Sequence, residues 1–420
     1  MNLSAIVLAA GQSKRMKTDV SKVLHRLQGK TVIGHVYESL RRSGIRKVIT
    51  VASRDNIEGL KKEAGKIGIS SRFVIQKKQR GTADAVREAL KALRQAGSSV
   101  LITSGDMPLV SRDTYKNLIR KFLRTRSSCT LLTGEVSDAH GYGRIIRRSK
   151  EILGIKEEKD LAGDEGRIKE INAGVYVFRT QPLKKLLPRI RDVNRQKEYY
   201  LTDIISLFKK SGLAVSTVSV SDPDEIQGIN NRNDLSRLMA ILWKWKSGTL
   251  MRQGVTIEDP ETTFIDSDVR VGRDTVIKPF TIIESGTRIG RRCVIGPFSH
   301  IRNQALIMDT AEIGNFVEVK KSVVKPGAKA KHLAYLGDAT VGRKTNIGAG
   351  TITANFDGKN KFPTVIGDEC YIGSNTVLIA PLKLGKRVKT GSGAIVTRNQ
   401  VIPSGSLLVG VPAKIVKRTS

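Results

Sequence analysis

A chain of 420 residues with 39% hydrophobic and 27% charged side chains is too apolar for wholesale disorder and long enough for two or three domains of ~150 residues. No stretch approaches the ~18 apolar residues that span a bilayer, and the opening MNLSAIVLAAG has neither the basic n-region nor the cleavage site of a secretory signal. Lys and Arg number 73 against 39 Asp and Glu, a formal charge of +34, which directs attention to phosphorylated small molecules or other polyanions as partners.

That charge is spread along the chain. Residues 1–250 carry 48 basic and 25 acidic side chains, and residues 251–420 carry 25 and 14. With no basic tail, the expectation is a solvated surface plus phosphate-binding sites, without a specific nucleic-acid partner. Three cysteines, Cys129, Cys293 and Cys370, are odd in number and far apart. They offer neither a disulfide framework nor a CxxC metal site, as expected of a cytoplasmic protein.

In chain order, residues 1–230 alternate short apolar runs with charged stretches. SAIVLAA (4–10), KVITVAS (47–53), SVLITSG (99–105) and CTLLTGE (129–135) read as buried strands. Segments 56–66 and 82–96 have helical spacing. Strands alternating with helices predict a mostly parallel sheet covered on both faces. Residues 231–250, NRNDLSRLMAILWKWKSGTL, predict one linking helix, with Trp243 and Trp245 as packing residues.

From about residue 251 a period of six takes over. Val271, Ile277, Ile283, Ile289, Ile295, Ile301, Ile307, Ile313 and Val319 follow without a miss, and glycine often comes next, as in Ile289-Gly290 and Ile313-Gly314. The period returns in shifted register at Val341 and Ile347, then at Ile366, Ile372, Leu378 and Leu384. Neither a helix nor an isolated strand has this spacing. A triangular coil does, each side pointing one aliphatic residue inward and a small residue turning the corner. Three sides make an 18-residue coil, so residues 251–420 predict roughly nine coils stacked to a height on the order of 43 Å. The longer interruption TANFDGKNKFP (353–363) marks a loop suited to binding.

LAAGQSKRM (8–16) follows the first strand. Glycine at a strand end lets a phosphate approach the backbone, and Arg15 can complete an anion site. Together with SKVLH (21–25), QKKQRGTADAV (76–86), SGDMPL (104–109), GYGRI (141–145), IKEEKD (155–160), EINAGVYVF (170–178), EYYLTDII (198–205) and GINNRNDL (228–235), this order of motifs resembles the bifunctional N-acetylglucosamine-1-phosphate uridylyltransferase and glucosamine-1-phosphate N-acetyltransferase family. The resemblance extends through the hexapeptide half. It implies an α/β fold: a Rossmann-like nucleotidyltransferase domain over 1–230, the linker helix over 231–250, and a left-handed parallel β-helix over 251–420.

The resemblance also implies site residues. Catalytic charge would come from Arg15 and Lys22, and Mg2+ would be held by Asp106 and Asn230, hard oxygen donors suited to that cation. Leu8, Ala9, Ala10, Gly11, Gln76, Gly81, Thr82, Ser104 and Gly105 would contact nucleotide, and Gly143, Glu157 and Asn172 the amino sugar. Ser13 and Lys14 stand where the family has Gly-Thr, Ser21 where it has proline, and Ser104 where it commonly has tyrosine.

The segment 318–362, with KHLAYLGD and ANFDG inside it, resembles the family's acetyltransferase site. His332 would be the general base, a task that suits a group titrating near neutrality, and Glu318 would orient its imidazole. Arg302, Lys320, Tyr335, Asn346 and Lys361 would hold glucosamine 1-phosphate. Ala349, Asn355, Phe356, Ser374 and Ser392 would line the acetyl-CoA groove. The implied partners are glucosamine 1-phosphate, acetyl-CoA and UTP, with a homotrimer through the β-helix. A nucleotidyltransferase of other specificity, such as a glucose-1-phosphate thymidylyltransferase, and a non-catalytic paralogue are the alternatives. Arg15, Lys22, Asp106, Asn230 and His332 weigh against the paralogue.

Overall fold

An uninterrupted apolar run is stable as a strand only when both faces are covered, and the first run illustrates this. In the computed structural model, which describes residues 3–93 and 98–418, strand β1 (Leu3–Leu8) is buried through its middle and has parallel neighbours on both sides. The chain divides into two compact units, Met1–Leu238 and Met239–Ser420.

The first unit continues with α1 (Val32–Arg42), β2 (Lys47–Ala52), α2 (Ile57–Ile67), β3 (Ser71–Ile75), α3 (Thr82–Ala92), β4 (Ser99–Ser104), α4 (Arg112–Thr125) and β5 (Cys129–Glu135). Of the helix expected over 82–96, residues 94–96 lie outside the described residues. Next come the hairpin β6 (Arg144–Arg148) and β7 (Glu151–Lys156), then β8 (Glu170–Arg179), α5 (Thr180–Leu186), α6 (Asp203–Lys210) and β9 (Val215–Ser219). The sheet order is β9-β5-β8-β4-β1-β2-β3. It is mostly parallel, as expected, apart from β8, which runs antiparallel to both β4 and β5. The reason is the hairpin, whose two legs leave and return to one end of the sheet, so that β8 starts where β5 finished, Glu170 opposite Glu135. Apolar clusters cover both faces.

Helix α7 (Arg232–Arg252) spans the expected linker. Trp243 packs on Phe264 with ring centroids 4.5 Å apart. In the second unit, two- to five-residue strands stack into three parallel ladders of ten, eight and eight strands, the last of the ten an antiparallel closing strand. This is the hexapeptide left-handed β-helix. Its inward residues Ile277, Ile283, Ile289, Ile295, Ile301 and Ile307 form one apolar core.

Two details differ from the sequence expectation. The residues that turn the corner are not the glycines that directly follow the aliphatic residues, although some corners, such as Gly286 and Gly350, are glycine. They stand three places after the inward aliphatic residue and are often large, as at Phe280, Phe298 and Phe316, each with φ between 55° and 59°. The glycines instead permit close coil stacking: a Cβ on Gly272 would lie 2.6 Å from Gly290 O, and one on Gly290 2.5 Å from Asp309 N. The register slip after Val319 also has a simple cause. Ile313 pairs with Ala330 and Ala330 with Ile347, so two successive coils are 17 residues long rather than 18.

Candidate functional site

In the first unit, β1 ends at Leu8 and the chain turns between the ends of its neighbours. Gly105 N donates to Leu8 O at 2.8 Å, and Ala9 N to Val51 O at 2.8 Å. Gln79 Nε2 donates to Ala10 O at 2.6 Å. These bonds place the loop 8–11 beside Asp106, just past the end of β4.

Lys22 opens a short 3-10 turn and carries its ammonium to Asp106 Oδ2 and, at 3.4 Å, to Asn230 Oδ1. Arg15 Nη2 donates to the same Asn230 oxygen at 2.9 Å. Arg15, Lys22, Asp106 and Asn230, distant in sequence, therefore meet. Burial alone would raise the Asp106 pKa, but the Lys22 charge and hydrogen bonds from Lys22 and Ser104 outweigh it and hold the carboxyl below its usual range. Ser104 Oγ donates to Asp106 Oδ1 at 2.6 Å. Ser104 thus meets the metal-ligand candidate directly, whereas the sequence placed it among the substrate contacts.

Asp106 and Asn230 are two hard oxygens converging on one cation, here the Lys22 ammonium. That donor set fits Mg2+ held by two protein groups, with water and phosphate oxygens completing the shell. Among the described residues no cluster of three or more His, Cys, Asp or Glu offers a closed cage.

The loop after β3 folds beside the same edge. Buried Gln76 donates from Nε2 to Gly81 O at 3.2 Å and to Asp84 Oδ2 at 3.0 Å. Gly81, at φ 109°, must be glycine because a Cβ would lie 2.5 Å from Tyr199 O. Thr82 Oγ1 accepts from Leu201 N at 2.9 Å. On the sugar side, Asn172 N donates to Gly143 O at 2.9 Å, and a Cβ on Gly143 would lie 3.5 Å from Glu157 Oε2. Gly143, Glu157 and Asn172 are thus neighbours. Glu157 accepts from Thr202 Oγ1 at 2.9 Å. Burial pushes its carboxyl above the usual range, with Asp203, Asp160 and Glu198 adding to the rise against the Thr202 bond.

The sequence did not single out Asn56, Gln79 or Thr202. Asn56 sits where an asparagine caps a helix, and nothing in the local sequence distinguishes that use from another.

In the second unit, one ladder aligns His300, Glu318 and Tyr335 on successive coils. Two residues further along its strands stand Arg302 and Lys320. Arg302 Nη1 donates to Glu318 Oε1 at 2.7 Å. Contact with the Lys361 ammonium, then the charges of Arg302 and Lys361, lowers the Lys320 pKa. Three cations therefore crowd one patch, and a phosphate dianion would neutralise them.

His332 and Asn346 lie on the adjacent ladder, where His332 pairs with Asn315 and Asn346 with Tyr371. The expected Glu318–His332 contact is not made within the chain. The two residues stand on different ladders, Glu318 is held by Arg302, and the exposed imidazole has no hydrogen bond or ion pair among the described residues. His300 instead pairs with Glu284 at 2.8 Å.

Ala349, Ser374 and Ser392 each precede a corner residue of consecutive coils and form a column, linked by Asn375 N to Ala349 O at 2.7 Å and Gly393 N to Ser374 O at 2.8 Å. Asn355 donates from Nδ2 to Asp338 Oδ2 at 2.5 Å, while Phe356 projects into solvent beside Lys361.

The family of MobA-like NTP transferase domains matches residues 5–167. Bacterial transferase hexapeptide repeats match 268–303, and the hexapeptide repeat of succinyl-transferase matches 363–398. Over nearly the whole length the chain is similar to proteins named Bifunctional protein GlmU. That of Carboxydothermus hydrogenoformans is 40% identical, covering 99% of each chain. That of Staphylococcus saprophyticus is 41% identical over 97% of this chain and 96% of the relative. The protein from Thermosipho africanus is 38% identical over 99% and 96%.

Proposed function

The chain belongs to the GlmU family of bifunctional uridylyltransferase and acetyltransferase enzymes, and from that premise we propose how its own residues perform the two reactions. The observation that carries the first is the meeting of Arg15, Lys22, Asp106 and Asn230.

A phosphate oxygen of N-acetylglucosamine 1-phosphate attacks the α-phosphorus of UTP. The new P–O bond forms as the bond to the β-phosphate oxygen breaks and pyrophosphate leaves. No protein nucleophile is required, so rate comes from alignment and neutralisation of charge. Lys22 and Arg15 exchange their protein oxygens for phosphate oxygens. Asp106 and Asn230 would hold Mg2+, which supplies charge neutralisation on the phosphates when bound. Leu8 to Gly11, Gln76, Gly81 and Thr82 frame the nucleotide. Gly143, Glu157 and Asn172 take the sugar.

In the second reaction the amine of glucosamine 1-phosphate attacks the acetyl-CoA thioester carbonyl and His332 takes its proton. The C–N bond forms, the C–S bond breaks, and CoA leaves as the thiol with that proton. Arg302, Lys320 and Lys361 bind the phosphate, with Tyr335 and Asn346 beside it. Glu318 fixes Arg302. Ala349, Asn355, Phe356, Ser374 and Ser392 form the CoA groove.

The working unit is a homotrimer. Phe280, Phe298 and Phe316 are exposed and stacked at 4.8 and 5.2 Å between centroids, and Leu333 continues the row. An apolar ridge of this kind, next to an imidazole with no partner among the described residues, is suited to a second copy that completes the site. Among the described residues no helix is long and apolar enough to cross a membrane. Three buried free thiols fit the reducing cytoplasm, which also supplies the substrates.

A coupled assay with glucosamine 1-phosphate, acetyl-CoA, UTP and Mg2+ tests the reading. UDP-N-acetylglucosamine and pyrophosphate are the expected products, with UTP preferred over dTTP. Turnover with dTTP alone, or no acetyl transfer, overturns it.

A further inference from the structure

Asn56 occupies the N-cap position of α2 yet makes no side-chain cap bond to that helix. Its side chain is turned the other way. Nδ2 donates to Ala9 O at 2.8 Å and to Ser21 Oγ at 3.1 Å, while Oδ1 accepts from Ser53 N at 3.0 Å. The residue is 1% exposed, so both amide hydrogens and the carbonyl are used on protein partners rather than water. Asparagine at an N-cap ordinarily accepts from the amides of the first turn, and leaving that bond unmade is a cost. What is gained is a tie between two segments that share no other bond through this side chain: the loop leaving β1, and Ser21, immediately before Lys22.

Lys22 is also held from its other side, since its backbone N–H donates to Ser13 Oγ at 2.7 Å. With its main chain fixed between Ser13 and the Ser21–Asn56 bond, the Lys22 ammonium is delivered to Asp106 and Asn230. We propose that Asn56 is a positioning residue for uridylyl transfer, acting through Ser21 on Lys22 and through the Ala9 carbonyl on the nucleotide loop, so that the two keep a fixed separation. The proposal rests on the reading of Lys22 as the phosphate-neutralising group. The hydroxyls of Ser13 and Ser21 thus brace Lys22 from both sides.

The test uses the full chain, UTP and N-acetylglucosamine 1-phosphate, with acetyl transfer as the internal control for folding. Asn56→Ala and Asn56→Asp both remove the two donated bonds. Each is expected to lower kcat for uridylyl transfer roughly 10- to 100-fold, the scale of a small misplacement of a reacting group. KM for UTP should change less than kcat, and acetyl transfer should be kept. Ser21→Ala should reproduce part of the loss, and the double variant with Asn56→Ala should be no worse than Asn56→Ala alone, because both act on one link.

Wild-type kcat in Asn56→Asp or Ser21→Ala, while Lys22→Ala abolishes the reaction, overturns the clamp and leaves the site intact. Additive losses in the double variant also overturn it. Wild-type kcat in Lys22→Ala overturns the parent reading and the clamp with it. Should Asn56→Ala fail to fold, Ser21→Ala decides on the same criterion.

Discussion

Arg15 and Asn230, far apart in sequence, are joined by a hydrogen bond of 2.9 Å from the guanidinium to the side-chain carbonyl. That carbonyl is shared with Lys22, so the cations expected to meet phosphate already rest on protein oxygens, Lys22 ion-paired with Asp106 and Arg15 on the neutral amide. Triphosphate binding then becomes an exchange of partners in a fixed frame, with less reorganisation than gathering mobile lysines from solvent. The same exchange frees Asp106 and Asn230 for a metal.

The first prediction concerns Asp106. Asp106→Ala should lower uridylyl transfer by roughly 100-fold or more, the scale of losing one preorganised electrostatic group, and leave acetyl transfer at the wild-type rate. Because the Asp106 pKa is held low, its ionised form stabilises the fold above the unfolded carboxyl pKa, and that contribution is lost as pH falls through the folded value. Acid unfolding followed by circular dichroism should therefore show a smaller pH dependence in Asp106→Asn. Equal loss of both activities in a folded variant would count against separate sites.

The second prediction concerns Glu157, whose shift has the opposite sign. Burial raises its pKa, so the stabilising state is the protonated one, present below the unfolded pKa and lost as pH rises through the folded value. Glu157→Gln should raise Tm at pH 8 and leave it unchanged near pH 4. The variant should also weaken sugar binding, seen as a higher KM for N-acetylglucosamine 1-phosphate. A native residue that costs stability and serves the substrate is the trade expected at a binding site. No gain in Tm at pH 8 would refute the sign.

How far the sequence could be read depended on whether a signal was periodic. The coil core was legible because Ile277, Ile295 and Ile313 recur at one spacing, and the same spacing places Glu318 one coil above His300. The antiparallel direction of β8 was not legible, since it depends on the hairpin β6–β7 and not on any residue in β8. Among the site residues, Asp106, Lys22 and Asn230 were recognisable through motifs. Asn56 was not, because an asparagine before a helix looks like an ordinary cap until its rotamer is known. Glu318 was paired with His332 only through the resemblance, and spacing along the chain does not show that a corner sets the two on different ladders of one chain.

The third prediction is the assembly. Light scattering at micromolar concentration should give three times the chain mass. Phe298→Asp places a charge in the middle of the aromatic row and should shift the mass toward monomer. Acetyl transfer should fall with it, and uridylyl transfer should persist. A wild-type monomer that acetylates at full rate would refute both the trimer and the shared site.

The last prediction concerns His332. Its imidazole is exposed beside the corner at Leu333, with no intrachain hydrogen bond or ion pair among the described residues, and so is free to accept a proton from a bound amine. His332→Ala should lower acetyl transfer roughly 100-fold or more, the usual contribution of a positioned general base. The loss should appear in kcat rather than KM, because the imidazole acts on the proton in flight and adds little to ground-state binding of a phosphate held by Arg302, Lys320 and Lys361. Rate against pH in the wild type should rise through the acid-side limb of an essential base, and that limb should be missing from the variant. Glu318→Gln separates the two possible roles of that carboxylate. With Glu318 bound to Arg302, the variant should raise KM for glucosamine 1-phosphate and leave the acid-side limb where it was. A displaced limb instead would show that Glu318 of a neighbouring copy reaches the imidazole in the trimer. Wild-type acetylation by His332→Ala across the whole pH range would remove His332 from the mechanism.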